Sequence, residues 1–299
     1  MKQTFIAWLI AARLRTLPLS LSGIFFGATV VLAIENFDPS VFHWALIVTI
    51  LLQVLSNFAN DLGDGLKGTD NENRIGPKRA LQAGLLSARE LKNGIVVLVI
   101  LTGLAIYQLL QGANLNSTSY AVLAILGALS IVAALTYTLG KKPYGYYGLG
   151  DFMVFFFFGG VAVLGTIVLF TPKIPFYAVG YTLTAGSLST AVLNLNNMRD
   201  HQSDKASGKN TLVVRMGVRR AKIYHYLLLI TAYIGFTFST IAVLSPSSIF
   251  LVLAFVFIIP HIQKVREVED YRNLDDELKK IALFCFFLSV ISFAIAYFK

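Results

Sequence analysis

The sequence predicts an all-α protein that crosses a membrane many times and encloses a central cavity between its helices. The first observation is composition: 56% of the 299 residues are hydrophobic and only 14% are charged, whereas roughly 25% are charged in a soluble domain. The second is the mean hydropathy, which is +0.68. The third is a series of long stretches without Asp, Glu, Lys or Arg. These stretches lack the ten-residue alternation of a membrane barrel, so helices are expected.

Nine segments are long enough to cross a bilayer, which takes about 20 apolar residues per helix. They lie within residues 16–34, 39–60, 93–140 (two helices), 152–172, 174–198, 223–263 (two helices) and 281–298. The apolar run before them is too short to span and is followed by Arg13 and Arg15. We interpret this N-terminal segment as an amphipathic helix at the membrane interface.

The basic residues predict the orientation of the chain. With nine spans, 23 of the 25 Lys and Arg residues fall on the side of the N-terminus, and only Lys173 and Lys299 fall on the other side. Because cytoplasmic loops carry the excess of Lys and Arg, the N-terminus is predicted to be cytoplasmic. The net charge of +9 therefore reflects topology, and no nucleic-acid partner is expected. Cys285 is the only cysteine, which excludes a disulfide framework.

Two clusters of carboxylate and amide side chains lie at the cytoplasmic ends of spans two and six. The first contains Asn57, Asn60, Asp61 and Asp64, and the second contains Asn196, Asn197, Asp200 and Asp204. Asn57 and Asp61 are four residues apart, as are Asn196, Asp200 and Asp204, so each set shares one helix face. The pattern repeats after 139 residues, which suggests that the two clusters face each other across the cavity.

The residue types in these clusters favour a metal and diphosphate site. Carboxylates in or near a bilayer are costly and usually mark function. Oxygen ligands without His or Cys suit Mg²⁺, particularly where a phosphate shares the coordination. The same loops carry basic side chains that would bind diphosphate oxygens, namely Lys67, Arg74, Lys78, Arg79, Arg199, Lys205 and Lys209. We predict cytoplasmic cap loops at about 61–93 and 199–222. No Walker A motif or dinucleotide-binding turn supports an ATPase or an oxidoreductase.

Two Asp-rich motifs at the ends of spans two and six, in a nine-helix chain, resemble the UbiA superfamily of intramembrane prenyltransferases. Four further stretches, 13–18, 76–79, 147–151 and 196–212, are similar to the branch that acts on 1,4-dihydroxy-2-naphthoate in menaquinone synthesis. One position departs from the family, because the first motif often ends in Asp where this chain has Gly65. Asp64 or Asp70 would then complete the first metal site.

The resemblance implies a Mg²⁺-dependent transfer of a polyprenyl group from polyprenyl diphosphate to the naphthoate, with loss of CO₂ and diphosphate. The implied metal ligands are Asn57, Asp61, Asp64, Asn196, Asp200 and Asp204. Tyr137 and Lys141 would lie near the reacting carbon and the diphosphate. Arg13 or Arg15 would bind the carboxylate of the acceptor, unless these side chains reach to the membrane interface instead.

Two apolar features have mainly structural interpretations. Gly23 and Gly27 form a small-xxx-small pair, which is typical of close helix packing in membranes. The four Phe residues at 155–158 cover every side of a helix. Most of them must therefore contact lipid or neighbouring helices, and the rest are candidates for a groove that holds the prenyl chain.

Two alternative functions stay open. A prenyltransferase for another aromatic acceptor, such as 4-hydroxybenzoate, shares the Asp motifs. A secondary transporter also has paired polar motifs, although here they lie at one membrane face.

Whichever aromatic acceptor a prenyltransferase used, the sequence predicts one membrane-embedded domain over residues 1–299, surrounded by lipid in a bacterial cytoplasmic membrane. Its active site is predicted to face the cytoplasm.

Overall fold

Helices account for the secondary structure of this protein. A computed structural model describes residues 2–70, 75–244 and 246–299, and this part of the chain contains no β-strand. We number the helices α1 (Lys2–Ala12), α2 (Leu17–Ile34), α3 (Pro39–Leu66), α4 (Ala88–Gly112), α5 (Ser117–Thr136), α6 (Gly150–Val168), α7 (Ala178–Ala206), α8 (Leu212–Met216), α9 (Val218–Val243), α10 (Ser248–Glu267) and α11 (Leu274–Tyr297). The middle of α6 is π-helical over Phe155–Leu164. The prediction of an all-α protein is confirmed.

Polar side chains fix where several of these helices begin. Asp38 precedes α3 and accepts a hydrogen bond from the Ser40 N–H at 2.7 Å. At the start of α4, Ser87 and Glu90 form a reciprocal capping box. Asn116 caps α5 by accepting from the Ser119 N–H at 2.8 Å. Each of these contacts satisfies an amide N–H that has no partner within its own helix.

Eight helical segments in the described residues are long and apolar enough to cross a membrane. The predicted span at 174–198 corresponds to α7, which is 29 residues long but too polar to belong to this set. Most of its side chains are buried by other helices, so protein and not lipid surrounds its polar groups. The chain is thus a multi-pass membrane protein, whereas the count of nine spans and the cytoplasmic N-terminus stay predictions.

Helix α7 lies at the centre of the bundle and carries the second polar cluster. It packs against α9, α6, α11 and α2. Gly180 allows the closest of these approaches, because a Cβ atom there would overlap the carbonyl oxygen of Gly235 on α9. Tyr181, Leu188 and Leu195 fill the surrounding core and are fully buried. The second cluster is thereby held on a helix that is fixed from several sides.

The segments between α3 and α4 and between α7 and α9 are shorter than the cap loops predicted at about 61–93 and 199–222. Helix α3 continues to Leu66 and α4 begins at Ala88, which leaves 67–87 as the first segment. The second runs from 207 to 217 and includes the short helix α8. The difference arises because α3 continues through the first polar cluster and α7 continues through the second. Both clusters therefore lie on regular helices and not in loops.

Helix α1 differs from the amphipathic helix that the sequence predicted. Its buried side includes Ala7 and Ala11, which pack in one apolar cluster with Leu55 of α3. Its exposed side includes Phe5 and Ile6, which are apolar as well. The exposed side therefore suits contact with lipid hydrocarbon, and the described side chains of α1, from Phe5 to Ala12, do not form the polar face that defines an interfacial helix.

The glycine pair on α2 has the predicted packing role. A Cβ atom on Gly23 would lie 2.5 Å from the Cβ of Ala162, and one on Gly27 would lie 2.6 Å from the carbonyl oxygen of Val163. Both contacts are with α6, so the two glycines allow these helices to approach closely.

We expect Gly27→Ala to lower the free energy of unfolding by about 1–3 kcal/mol, the usual cost of overpacking. The added methyl group would meet the Val163 backbone and the Thr166 side chain, and neither is a flexible end that moves aside. Thermal unfolding in detergent measures this effect. Gly103→Ala on α4 is the matched control, because no atom lies within 4 Å of a Cβ there. Equal melting temperatures for the two variants would contradict the packing role.

Candidate active site

A cavity of about 760 Å³ lies between the helices and has one charged end and one apolar end. Ala45 and Asp64 both line it and both belong to α3. They are nineteen residues apart, which corresponds to about 28 Å along a helix. Apolar side chains, including Val48, Leu109 and Leu123, surround the part near Ala45. The cavity therefore suits a molecule with a polar head and a long apolar tail.

Lys209 joins the two polar clusters at the charged end. Its Nζ lies 3.5 Å from Oδ2 of Asp64 on α3 and 4.0 Å from Oδ1 of Asp204 on α7. Burial lowers the pKa of Lys209, but the two carboxylates outweigh burial and raise it, so the side chain stays charged. The structure thus brings together the two clusters that the sequence predicted to face each other.

Arg79 contributes a second cation to this end of the cavity. Its Nη1 donates to Oδ2 of Asp64 at 2.7 Å and lies 2.9 Å from Oδ2 of Asp70. The same atom donates to the backbone carbonyl of Asn60 at 2.6 Å. Burial lowers the pKa of Arg79, yet the negative charges of Asp64 and Asp70 raise it above the usual value. We call Asp64, Asp70, Asp204, Arg79 and Lys209 the ionic cluster.

Tyr146 orients the carboxylate of Asp64. The Tyr146 hydroxyl donates to Oδ1 of Asp64 at 2.7 Å and lies 2.6 Å from Oγ1 of Thr69. Burial and the nearby carboxylate raise the pKa of Tyr146, so its hydroxyl keeps the proton that it donates. Sequence reasoning missed Tyr146, whereas Arg79 was among the basic side chains predicted to bind diphosphate oxygens.

Asp61 holds the first cap segment in place. Its carboxylate accepts hydrogen bonds from the backbone N–H groups of Ala80 at 3.0 Å and Leu81 at 3.2 Å. Asp61 is buried and is not among the described residues that line the cavity. Its contacts place Arg79, the residue before Ala80, next to Asp64. The predicted role of Asp61 as a metal ligand stays a prediction.

The second cluster is organised around Arg199. Its guanidinium donates to both carboxylate oxygens of Asp200, at 2.9 and 2.7 Å, and to Oδ1 of Asn196 at 2.9 Å. It also donates to Asp275 of α11 at 2.6 Å. Asn196, Arg199 and Asp275 line the cavity. The sequence did not single out Asp275, whose acidic neighbours at the start of α11 resemble an ordinary helix N-terminus.

Aromatic side chains line the cavity beside the ionic cluster. Tyr137 and Tyr144 contact each other edge to face, with ring centres 5.2 Å apart, and Phe157 and Phe158 belong to the same cavity wall. Desolvation, followed by the charge of Asp64, raises the pKa of the Tyr137 hydroxyl. Lys141 does not join them, because α5 ends at Thr136 and the following turn leaves Lys141 exposed.

The remaining predicted residues fall into three groups. Lys78 is exposed but lines the cavity. Lys67, Lys205 and Asn197 are not part of the described cavity wall, and Lys67 instead donates to the backbone carbonyl of Thr138 at 2.6 Å. Arg74 lies outside the described residues.

The donors at the charged end fit Mg²⁺ in their chemistry. Asp64, Asn60 and Asn196 line the cavity, and Asp204 lies behind them, 4.0 Å from Lys209; all four offer carboxylate or amide oxygens, which are hard ligands. Among the residues that the structure describes, no three His, Cys, Asp or Glu side chains are gathered into a complete metal site. A donor set of this kind suits an ion that takes its other ligands from phosphate and water, as Mg²⁺ usually does.

Comparison with known proteins agrees with this geometry. Residues 20–291 match the UbiA prenyltransferase family. The 1,4-dihydroxy-2-naphthoate octaprenyltransferase of Haemophilus influenzae is 46% identical over 238 residues, covering 78% of this chain and 77% of that protein. The enzyme of the same name from Escherichia coli is 44% identical over 223 residues, covering 75% and 72%.

The fold is shared with a solved structure of a UbiA homolog from Archaeoglobus fulgidus bound to GPP and Mg²⁺. The TM-score is 0.67 at 17% sequence identity, and the match covers 97% of this chain and 98% of that one. With the family match over most of its length, the chain belongs to the UbiA prenyltransferase family.

Proposed function

We propose that the protein transfers a polyprenyl group from polyprenyl diphosphate to 1,4-dihydroxy-2-naphthoate, releasing diphosphate and CO₂. The product would be demethylmenaquinone, an intermediate of menaquinone biosynthesis. The observation that carries the proposal is the 44–46% identity to two enzymes named for this acceptor. A cavity with one charged and one apolar end is consistent with such a donor.

The ionic cluster and its neighbours would bind the diphosphate. Asp64 and Asp204, with Asn60 and Asn196, would hold Mg²⁺ there, and we retain Asn57, Asp61 and Asp200 as candidate ligands. When bound, Mg²⁺ supplies positive charge that makes diphosphate a better leaving group. Lys209 and Arg79 would donate to the phosphate oxygens.

The aromatic wall would protect the allylic carbon as its bond to diphosphate breaks. The faces of Tyr137, Tyr144, Phe157 and Phe158 attract positive charge and exclude water from it. Because the raised pKa keeps the Tyr137 hydroxyl protonated, this side chain is a poor nucleophile and does not compete with the acceptor. The acceptor ring then forms the new carbon–carbon bond at the carbon that bears its carboxylate.

We further propose that the chain acts as a single domain in the bacterial cytoplasmic membrane, with the charged end of the cavity facing the cytoplasm. The distribution of basic residues supports this orientation, since 23 of 25 fall on that side when nine spans are assumed. The two cap segments would then close over the diphosphate from the cytoplasmic side.

The fate of the carboxylate tests the acceptor. With carboxyl-labelled 1,4-dihydroxy-2-naphthoate, we expect one labelled CO₂ per prenylated product, because attack at that carbon restores the aromatic ring only when CO₂ leaves. The measurement is labelled gas against product formed by the purified protein. Carboxyl-labelled 4-hydroxybenzoate is the control, since it reacts beside its hydroxyl and keeps its label. Efficient prenylation of 4-hydroxybenzoate without reaction of the naphthoate would overturn the acceptor and leave the donor unaffected.

A further inference from the structure

We propose that three buried residues, Glu277, His261 and His225, hold the start of α11 in place and do so only while the two histidines share one proton. We call these three residues the histidine chain. They are not among the described residues that line the cavity, so they would act through other side chains and not on the substrates. The consequence for donor binding rests on the proposed function, whereas the chain itself is tested without turnover.

The histidine chain links α11 to α10 and α9. Oε2 of Glu277 on α11 lies 2.6 Å from Nδ1 of His261 on α10. Across the same ring, Nε2 of His261 lies 2.8 Å from Nε2 of His225 on α9. Each of the three residues is at most 3% exposed. Because polar groups buried in this way are costly unless they are paired, the three helices must stay together for the chain to remain satisfied.

The start of α11 is held from two sides. Asp275 and Glu277 are two residues apart, which places them about 200° apart around the helix. Asp275 belongs to the cavity wall, where it accepts from Nη1 of Arg199 on α7 at 2.6 Å and lies 3.7 Å from Nη1 of Arg15. Glu277 binds His261 on the other side. A shift of this helical turn would therefore disturb both sets of contacts.

The other end of the histidine chain returns to α7, the helix that carries the second polar cluster. His225 lies on α9 one turn after Ala221, whose carbonyl accepts a hydrogen bond from Nδ2 of Asn194 at 3.0 Å. Asn194 is fully buried on α7, two residues before Asn196. A closed ring of contacts thus connects α11, α10, α9 and α7. Through this ring the histidine chain positions the second polar cluster.

The contact between the two imidazole rings holds one proton and no more. Ring nitrogens 2.8 Å apart form a hydrogen bond only if one carries hydrogen and the other offers a lone pair. A further proton would have to bind Nδ1 of His225, because the carboxylate of Glu277 engages Nδ1 of His261. Nδ1 of His225 is buried and has no hydrogen-bond partner among the described residues. Acid therefore favours an arrangement in which the contact opens and a histidine reaches water.

The surrounding charges act in the same direction. The titratable neighbours on the packed helices are Lys280 on α11, Lys222 and Tyr226 on α9, and Arg266 on α10. Nζ of Lys280 lies 2.6 Å from Oε1 of Glu277. Nζ of Lys222 donates to the backbone carbonyl of Arg266 at 3.0 Å and so joins α9 to the end of α10. Apart from Tyr226 these neighbours are cations, so they oppose a further positive charge on the histidines.

His225→Gln separates the proton from the contact. Its amide can donate an N–H to Nε2 of His261 at neutral pH and can turn its carbonyl toward a protonated His261 in acid. From pH 7 to pH 5, about the range in which an ordinary histidine gains its proton, wild type without substrates should lose melting temperature. His225→Gln should lose about 3–6 °C less. His43→Gln is the matched control, because His43 is exposed on α3, and it should follow wild type.

His225→Leu tests the connection with the second polar cluster, because it removes the contact at every pH. Arg199 donates to Oδ1 of Asn196 at 2.9 Å and so orients a proposed Mg²⁺ ligand. We therefore expect His225→Leu to raise KM for polyprenyl diphosphate by about 3- to 10-fold at pH 7.5, with little change in kcat. His225→Gln should restore the wild-type KM, since it keeps the hydrogen bond.

Two results would overturn the inference. One is an equal loss of melting temperature on acidification in wild type and His225→Gln. The other is a folded His225→Leu variant with an unchanged KM for the diphosphate. Should His225→Leu fail to fold, the comparison of wild type with His225→Gln still decides. Failure of the proposed function is distinguishable, because wild type would then not convert the naphthoate while the melting experiment would give its result as before.

Discussion

Asp64→Asn is expected to lower kcat/KM by more than about 10³-fold, equivalent to several kcal/mol of transition-state stabilisation. Within the ionic cluster, Arg79 and Lys209 both approach the carboxylate of Asp64, and Tyr146 donates a hydrogen bond to it. Removing its charge takes away the proposed metal ligand and leaves Arg79 and Lys209 with only Asp70 and Asp204 as counter-charges in the ionic cluster. The prenylation rate of the detergent-solubilised protein measures the effect.

The control for this substitution is Asp276→Asn. Asp276 is exposed on α11, where it pairs with Lys279 at 2.9 Å, and such surface pairs contribute little. We expect full activity from it. The asparagine in Asp64→Asn keeps the side-chain volume and the acceptor for Tyr146, so the protein should remain folded. If Asp64→Asn kept more than half of the wild-type activity, Asp64 would not be a ligand.

Asp70→Asn, assayed in parallel, decides how the first motif is completed. Asp70 contacts Arg79 but is not among the described residues that line the cavity, whereas Asp64 is. We therefore expect a clearly smaller loss of activity from Asp70→Asn than from Asp64→Asn. If Asp70→Asn lost more activity than Asp64→Asn, Asp70 would be the residue that completes the first metal site in place of the family's Asp at position 65.

Sequence patterns predicted the fold class and the meeting of the two clusters because both depend on short-range regularities. The absence of charge over about 20 residues indicates a span, and a four-residue spacing indicates one helix face. The apparent ninth span, α7, is charge-free over 174–198 but too polar to count by hydropathy. Its environment depends on which helices surround it, and no local pattern contains that information.

The contacts that complete the site were not predictable because they join residues far apart in the chain. Tyr146 reaches Asp64 across 82 positions and Arg199 reaches Asp275 across 76. A buried chain in which His225 contacts His261 at 2.8 Å, and His261 contacts Glu277 at 2.6 Å, likewise joins three helices. The contacts of Asp61 with the backbone N–H groups of Ala80 and Leu81 were not predictable for the same reason, since they join residues 19 and 20 positions apart.

Removal of divalent metal is the second change for which we expect a very large effect. In excess EDTA, turnover should fall below detection, and Mg²⁺ added beyond the chelator should restore it. The reason is the charge of the leaving group, since diphosphate departs readily only when cations neutralise it. Lys209 and Arg79 are already paired with Asp64, so the protein's own cations are not sufficient for this.

The ionic cluster also predicts how metal and donor bind together. Three carboxylates and two cations leave it with one net negative charge. A diphosphate alone would add further negative charge, and Mg²⁺ bound beside it would remove part of that charge, so each ligand lowers the electrostatic cost of binding the other. We therefore expect Mg²⁺ and polyprenyl diphosphate to raise the melting temperature together by more than the sum of their separate effects, and Asp64→Asn to abolish the excess. Full turnover in excess chelator, or thermal shifts that are merely additive, would contradict a metal held between Asp64 and Asp204.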